Sequence, residues 1–254
     1  MLLDNRTLAI MFYLTATMTS IALFFNAWSV KRFKGPGLWV AGEMILCISF
    51  YSLSIQGFVN NFIGITFAGS GLIAGVTLLW TGIDRFLEKK VNTIFYFIPF
   101  AIHLVLASYY TYIDFDTVIR IRLLSFFLFL ITSITTFVIL KNLPPKNRPQ
   151  YIFTAAVFIV FASFNLSRFI YTFYMEEVPG LYSTGTGLTL AYTVSIIVNL
   201  ALTIGLLIIT KARFENELLA NLDLLRSALA TKDKLFSVVA HDLRGPVGNI
   251  SAVL

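Results

Sequence analysis

The chain has 254 residues, of which 57% are apolar, 15% aromatic and only 13% charged, with a formal net charge of +6. A soluble domain of this length cannot bury so much apolar surface in one core, so the composition excludes a water-soluble globular protein and makes lipid the solvent. The basic residues fall in short clusters between apolar stretches, which marks the cytoplasmic side of a membrane protein and argues against a nucleic-acid partner. A single cysteine, Cys47, excludes an intrachain disulfide and a thiolate metal site, and reads as a small buried hydrophobe.

A spanning helix needs about 20 apolar residues. The first runs from Thr7 to Val30 after a short N-terminal stretch, 1–6, and has the length of a span with no cleavage site behind it. Lys31, Arg32 and Lys34 stop it, and the Gly35-Pro36-Gly37 turn follows. Between Leu38 and Gly82 the one charge is Glu43, and that length holds two helices divided at Asn60-Asn61. The fourth helix is expected over about Val91 to Ile113, the fifth over Leu123 to Leu140, the sixth over Tyr151 to Tyr174 and the seventh over Leu188 to Thr210. Only helices satisfy backbone polar groups segment by segment in lipid. Seven spans are expected, or six if the fifth is too weak.

Orientation follows from the cations. With the N-terminus outside, the inner loops hold Lys31, Arg32, Lys34, Arg85, Lys89, Lys90, Lys141, Lys146 and Arg148, and the segment after the seventh helix adds Lys211 and Arg213. The outer side holds Arg6, Arg120 and Arg122, with Arg168 inside the sixth helix near that end, and the acidic residues Asp4, Asp114, Asp116, Glu176 and Glu177, so the C-terminal segment is expected in the cytoplasm. No outer loop is long enough for a sensor domain, which leaves the helices to read any signal.

From Lys211 the pattern changes to a heptad. Leu218, Leu222, Leu225, Leu229, Phe236, Val239, Leu243, Ile250 and Val253 step by four and three, with Lys232 and Pro246 filling the gaps, the spacing of a coiled-coil seam in a parallel dimer. An amphipathic helix lying on the membrane would show a similar stripe, but its acidic residues disfavour that.

At the end of the seam stands Phe236-Ser237-Val238-Val239-Ala240-His241-Asp242-Leu243-Arg244-Gly245-Pro246. It resembles the H-box of the sensor histidine kinases of two-component systems, whose pattern F-S-x-x-x-H-[DE]-L-[RK]-x-P it matches at every fixed position. The resemblance covers only the last tenth or so of the chain. Counted from Phe236 as position a, His241 falls at f, away from the seam, where a nucleophile must lie to meet mobile partners. Imidazole suits the task, since one ring nitrogen attacks while the other sheds a proton. The resemblance implies that His241 is the phosphoacceptor and that Asp242 accepts the proton and orients the ring. Pro246 removes a donor and bends the helix a turn beyond the histidine, and Arg244 is either a phosphate contact or a solvated charge.

The family's second hairpin helix and its ATP-binding motifs do not follow before Leu254. The expectation is a chain truncated before its catalytic domain, inactive alone, with ATP and Mg²⁺ belonging to that domain and with no cofactor or metal site in these residues.

Polar groups within spans are functional candidates by default. His103 lies in the middle of the fourth helix, and Asn165 and Arg168 share a face of the sixth. Tyr109, Tyr110, Tyr171, Tyr174 and Tyr192 lie at a similar level. One reading is a ligand cavity open to the outer leaflet, formed by His103, Asn165, Arg168, Tyr109 and Tyr171, with Arg168 meeting an anionic headgroup or carboxylate. The other is a snorkelling arginine and an interfacial tyrosine belt. Glu43 is expected to pair with Lys31, Arg32 or another inner cation. Gly64, Ala68, Gly71 and Gly75 put a stripe of small residues on the third helix, which favours close packing. No lysine falls within a span, which excludes a retinal Schiff base.

The expected fold is all-α: a polytopic seven-helix bundle over 7–210, N-terminus out and C-terminus in. A parallel dimeric signalling coiled coil over 211–234 and an incomplete phosphoacceptor helix over 235–254 follow. The expected function is the receptor part of a bacterial inner-membrane sensor histidine kinase. Its partners would be a second copy, a response regulator, membrane lipids and an unidentified signal ligand. A seven-helix transporter or channel joined to a kinase-like helix is the alternative from another class, and a non-catalytic parent that uses the helix only to dimerise is a third.

Overall fold

A computed structural model describes residues 5–89, 93–174 and 186–251, with side chains for all of these except 93, 94, 186, 188 and 240–251. Its elements are α1 (Asn5–Ser29), α2 (Pro36–Ser54), a π-helical stretch (Phe62–Phe67) running into α3 (Ala68–Phe86), α4 (Thr93–Tyr112), α5 (Thr117–Lys141), α6 (Arg148–Tyr171) and α7 (Thr186–Ser251). Among the described residues there is no strand. The chain divides into two compact units, Met1–Ile209 and Thr210–Leu254.

Among the described residues, six helical segments are long and apolar enough to cross a membrane: all the helices of the first unit but α4, with α7 contributing from Thr189. The fifth helix, expected as the weak one, is the most apolar of the six. Its start lies earlier than expected, at Thr117, because Asp116 caps it by accepting from the Ile119 N–H at 2.9 Å. The helix outside this set is α4, which carries four tyrosines, Pro99 and His103. The membrane character is also visible on the outside. Met18, Phe25, Trp28, Val105 and Phe137 are all more than 60% exposed, an apolar surface that a soluble monomer does not carry.

Inside, several hydroxyls are satisfied by the helix backbone. Thr77, Thr81, Thr132, Thr135 and Thr136 each donate to the carbonyl one turn back. Helix α1 packs on α2, α2 on α3, and α5 on α6, while α3 also meets α4 and α5. The contact between α2 and α3 is set by glycine. A Cβ on Gly42 would stand 2.8 Å from the Gly75 carbonyl, and one on Gly75 would stand 2.7 Å from Leu46. A Cβ on Gly71 would collide with Ser49, and one on Gly82 with the Trp39 ring. The small-residue stripe therefore does bring backbones together. Gly35 introduces α2 with φ 121, a conformation for which glycine is suited, and passes against the Gly82 carbonyl.

Short contacts align the helix ends. Asn5 of α1 accepts from Thr189 of α7, Arg122 of α5 donates to Thr172 after α6, and Thr66 donates to Thr111 of α4. These contacts define one end of the bundle, called here the upper end. At the lower end Trp39 packs on Phe86 and Tyr96 donates to Asp84.

The second unit is a single helical strand. From residue 215 to residue 239 nearly every side chain is exposed. The seam residues Leu218, Leu222, Leu225, Leu229, Phe236 and Val239 are among them, 41–61% exposed. Two surface ion pairs, Lys211–Glu215 and Asp223–Arg226, at 3.8 Å and 3.7 Å, contribute little to its stability.

Candidate functional site

Within the first unit lies a cavity of about 480 Å³, in the range of about 300–1,000 Å³ typical of small-molecule sites. Each of four helices gives it one stripe. On α7 the lining residues are Ala191, Tyr192, Ser195, Val198, Asn199 and Leu202, steps of three and four that keep them on a single face. From α6 come Val157, Phe161, Asn165 and Arg168, and from α5 Arg120, Leu124 and Leu128, with the same periodicity. Gly69, Leu72 and Val76 of α3 line it too, together with Leu46, Phe50 and Leu53 of α2 and His103 and Ala107 of α4. The stripes run about eleven residues along their helices, so the cavity is elongated along the bundle by roughly 16 Å at 1.5 Å per residue.

Polarity is distributed unevenly along it. Gln56, Asn61, Thr117, Arg120 and Arg168 line the upper end, and Leu72, Val76, Leu128, Val157 and Leu202 line the lower part. Asn61 immediately precedes the π-helical stretch, and Ile65 within it also faces the cavity. Such widened turns are frequent at functional sites because they re-aim side chains. Asn60 holds the turn through its side-chain oxygen, which accepts from the Ile63 N–H at 3.0 Å, and through its carbonyl, which accepts from the Gly64 N–H at 3.1 Å.

The expected site residues part company here. His103, Asn165 and Arg168 come together on the cavity wall. His103 is almost fully buried, with Nδ1 3.1 Å from the Ser70 hydroxyl and its ring edge-on to Phe127. Asn165, equally buried, donates through Nδ2 to the Phe161 carbonyl at 2.9 Å. Tyr109 and Tyr171 do not line the cavity. They are 43% and 56% exposed, and Tyr109 packs edge-on against Tyr110, as members of an outward-facing tyrosine set do. His241 and Asp242 lie on α7, and their side chains fall outside the described residues.

Two arginines reach the cavity under different conditions. Arg120 donates to Thr117 at 2.8 Å and Thr111 at 3.3 Å and stacks on Phe115, while its Nε is buried with no hydrogen-bond partner. Asp116 is an electrostatic neighbour of Arg120 but does not line the cavity. Arg168 is half-buried and, among the described residues, its guanidinium makes no hydrogen bond or ion pair. Its electrostatic neighbour is the buried Tyr192 of α7. No carboxylate lines the cavity among the described residues.

Beside the wall sits a buried polar knot that sequence reasoning placed differently. Among the described residues, Glu43 pairs with no cation. Both its oxygens accept from Asn199 Nδ2, at 3.1 Å and 3.0 Å, and one also accepts from Thr19 at 3.2 Å. The reason is position: Glu43 is fully buried against α1 and α7, whereas the lysines and arginines of the adjacent loop sit at the helix ends. Lys31, for instance, lies over the ring of exposed Trp28 at 3.9 Å. Asn199, which faces the cavity and holds Glu43, carries the one signal that could have found it, a lone amide inside an apolar span.

No group of three or more His, Cys, Asp or Glu side chains among the described residues converges on a metal position.

No family model matches the chain, and no curated protein and no solved structure is detectably similar to it.

Proposed function

We propose that the chain is the membrane receptor part of a dimeric sensor histidine kinase of a two-component system, seated in the bacterial inner membrane. One observation carries this reading. Residues Phe236 to Pro246 reproduce every fixed position of the phosphoacceptor pattern, and they do so on the same helix, α7, that lines the cavity higher up. In this reading α4 is the seventh span, since an odd number of crossings puts the two termini on opposite sides and satisfies the distribution of lysine and arginine. The upper end of the bundle is then the outer end, and Thr210 to Ser251 lie in the cytoplasm.

The mechanism follows from α7. Occupancy of the cavity bears on Tyr192, Ser195 and Asn199, and Asn199 is tied to α2 and α1 through Glu43 and Thr19. A bundle that holds α7 in two alternative positions would change the helix's rotation or tilt at the membrane exit. The heptad residues Leu218 to Leu229 pair two copies of that helix, so a shift alters how His241 presents its ring to an ATP-bearing domain. His241 takes the phosphoryl group through one ring nitrogen, Asp242 receives the proton from the other, and a response regulator then accepts the phosphoryl group. Domain-supplied ATP and Mg²⁺ provide the donor and neutralise its charge, as in the resembled family.

Membranes carrying the protein expressed from its complete coding sequence should incorporate acid-labile phosphate from ATP, and His241→Gln should abolish the label. Label that persists in His241→Gln would refute the proposal.

A further inference from the structure

The cavity's chemistry specifies what it would hold. It is long, lined over its lower part by apolar side chains and by Asn199, whose amide is taken up by Glu43, and cationic at its upper end, where two guanidinium groups meet no lining carboxylate among the described residues. A cation taken from water into an apolar surround is costly unless a counter-charge accompanies it. Arg120 is partly compensated by hydroxyls, by the Phe115 ring and by nearby Asp116. Arg168 has no such partners among the described residues, and its fork of donors matches a carboxylate bidentately. The volume is that of one drug-sized molecule and is too small for a two-chain phospholipid.

We propose that the cavity binds a single-chain amphipathic carboxylic acid, its carboxylate on Arg168 and Arg120 and its apolar tail along Leu128, Val157 and Leu202. The tail lies between α3, α5, α6 and α7, and the acid group lies level with Gln56 and Asn61. Its role as a signal rests on the receptor reading above, whereas its binding does not involve His241. Arg168 anchors the head, and Arg120 adds a second, weaker charge. The buried amide of Asn165, one turn from Arg168, borders the head. The apolar lower part sets the chain length, so shorter acids that leave it unfilled bind less tightly.

The test is equilibrium binding of radiolabelled dodecanoate to the purified 254-residue chain in phosphatidylcholine nanodiscs, with 1-dodecanol and acetate as competitors. The expected result is saturable binding of one dodecanoate per chain, with dodecanol and acetate each competing at least tenfold less well than unlabelled dodecanoate. Arg168→Gln should weaken binding tenfold or more, Arg120→Gln less so, and Arg168→Lys less than Arg168→Gln. Leu128→Trp, which fills the lower part, should abolish binding while helix content and elution profile stay as in the wild type. Equal competition by dodecanol, or binding indifferent to Arg168→Gln and Leu128→Trp, would overturn the inference. Loss of binding on replacing the disc lipid by phosphatidylglycerol would also overturn it, by assigning the site to a lipid headgroup. Dodecanoate binding with no change in His241 labelling would sustain this inference and refute only the receptor role.

Discussion

The two sides of the membrane unit are built on opposite principles. Between α2 and α3, glycine lets backbones touch: Gly42 lies against Gly75, Gly71 against Ser49, and Gly82 against Trp39. Around the cavity, Phe158, Phe161, Leu124 and Tyr192 face an open volume, although α5 and α6 beside it pack on each other. Lipid gives no hydrophobic drive for helices to associate, so close van der Waals contact must hold the first side together. The second side keeps a volume against α7, whose occupancy would alter the position of that helix in the proposed mechanism. A close-packed pair beside an open wall suits the proposed receptor role.

The largest effect should come from the rigid side. Gly82→Leu drives a side chain into the Trp39 ring and the Gly35 backbone, so it should cost about 3 kcal/mol or leave the protein unfolded. Thermal loss of the monodisperse peak in detergent measures it, and a wild-type midpoint would break the comparison. Next is the knot between the two sides. Glu43→Ala strands Asn199 and Thr19, and should lower stability by about 2 kcal/mol, whereas Glu43→Gln keeps an acceptor and should cost less. Equal loss in both variants would show that the carboxylate's charge, and not its hydrogen bonds, is what α7 requires.

Smaller still is the effect expected on the adaptable side. Val157→Phe adds bulk where the wall is open, and stability should move by no more than about 1 kcal/mol. A loss as large as that of Gly82→Leu would mean the cavity is packed in solution. The smallest effect on the bundle should follow Leu225→Asp on the exposed heptad. It should leave the melting midpoint of the membrane unit unchanged and weaken self-association of the chain by about tenfold, read by crosslinking yield against concentration. Undiminished self-association would refute the coiled-coil seam.

Much of the architecture was legible because lipid simplifies it. Apolar runs, the loops between them and the heptad after Lys211 all follow from residue type and spacing. What was not legible depended on partners distant in sequence. Arg120 and Arg122 read as loop residues, since charges normally end a span. In the structure both lie inside α5, because Thr117, Thr111 and Thr172 supply acceptors and Phe115 and Phe173 supply ring faces. Glu43 suggested a basic partner by proximity in the chain, whereas its partner, Asn199, stands 156 residues away. His103, Asn165 and Arg168 were recognisable as polar groups in lipid, but the faces of Tyr109 and Tyr171 were not. A tyrosine near a helix end serves a cavity or an interface equally well, and only tertiary packing decides between them.

The central claim is that the cavity governs His241 through α7. The most direct measurement is the initial rate of acid-labile labelling at His241, with and without dodecanoate, in membranes carrying the wild type or Leu128→Trp from the complete coding sequence. The account predicts a rate that shifts severalfold with dodecanoate in the wild type and stays fixed in Leu128→Trp. Identical rates and identical responses in the two proteins would contradict it.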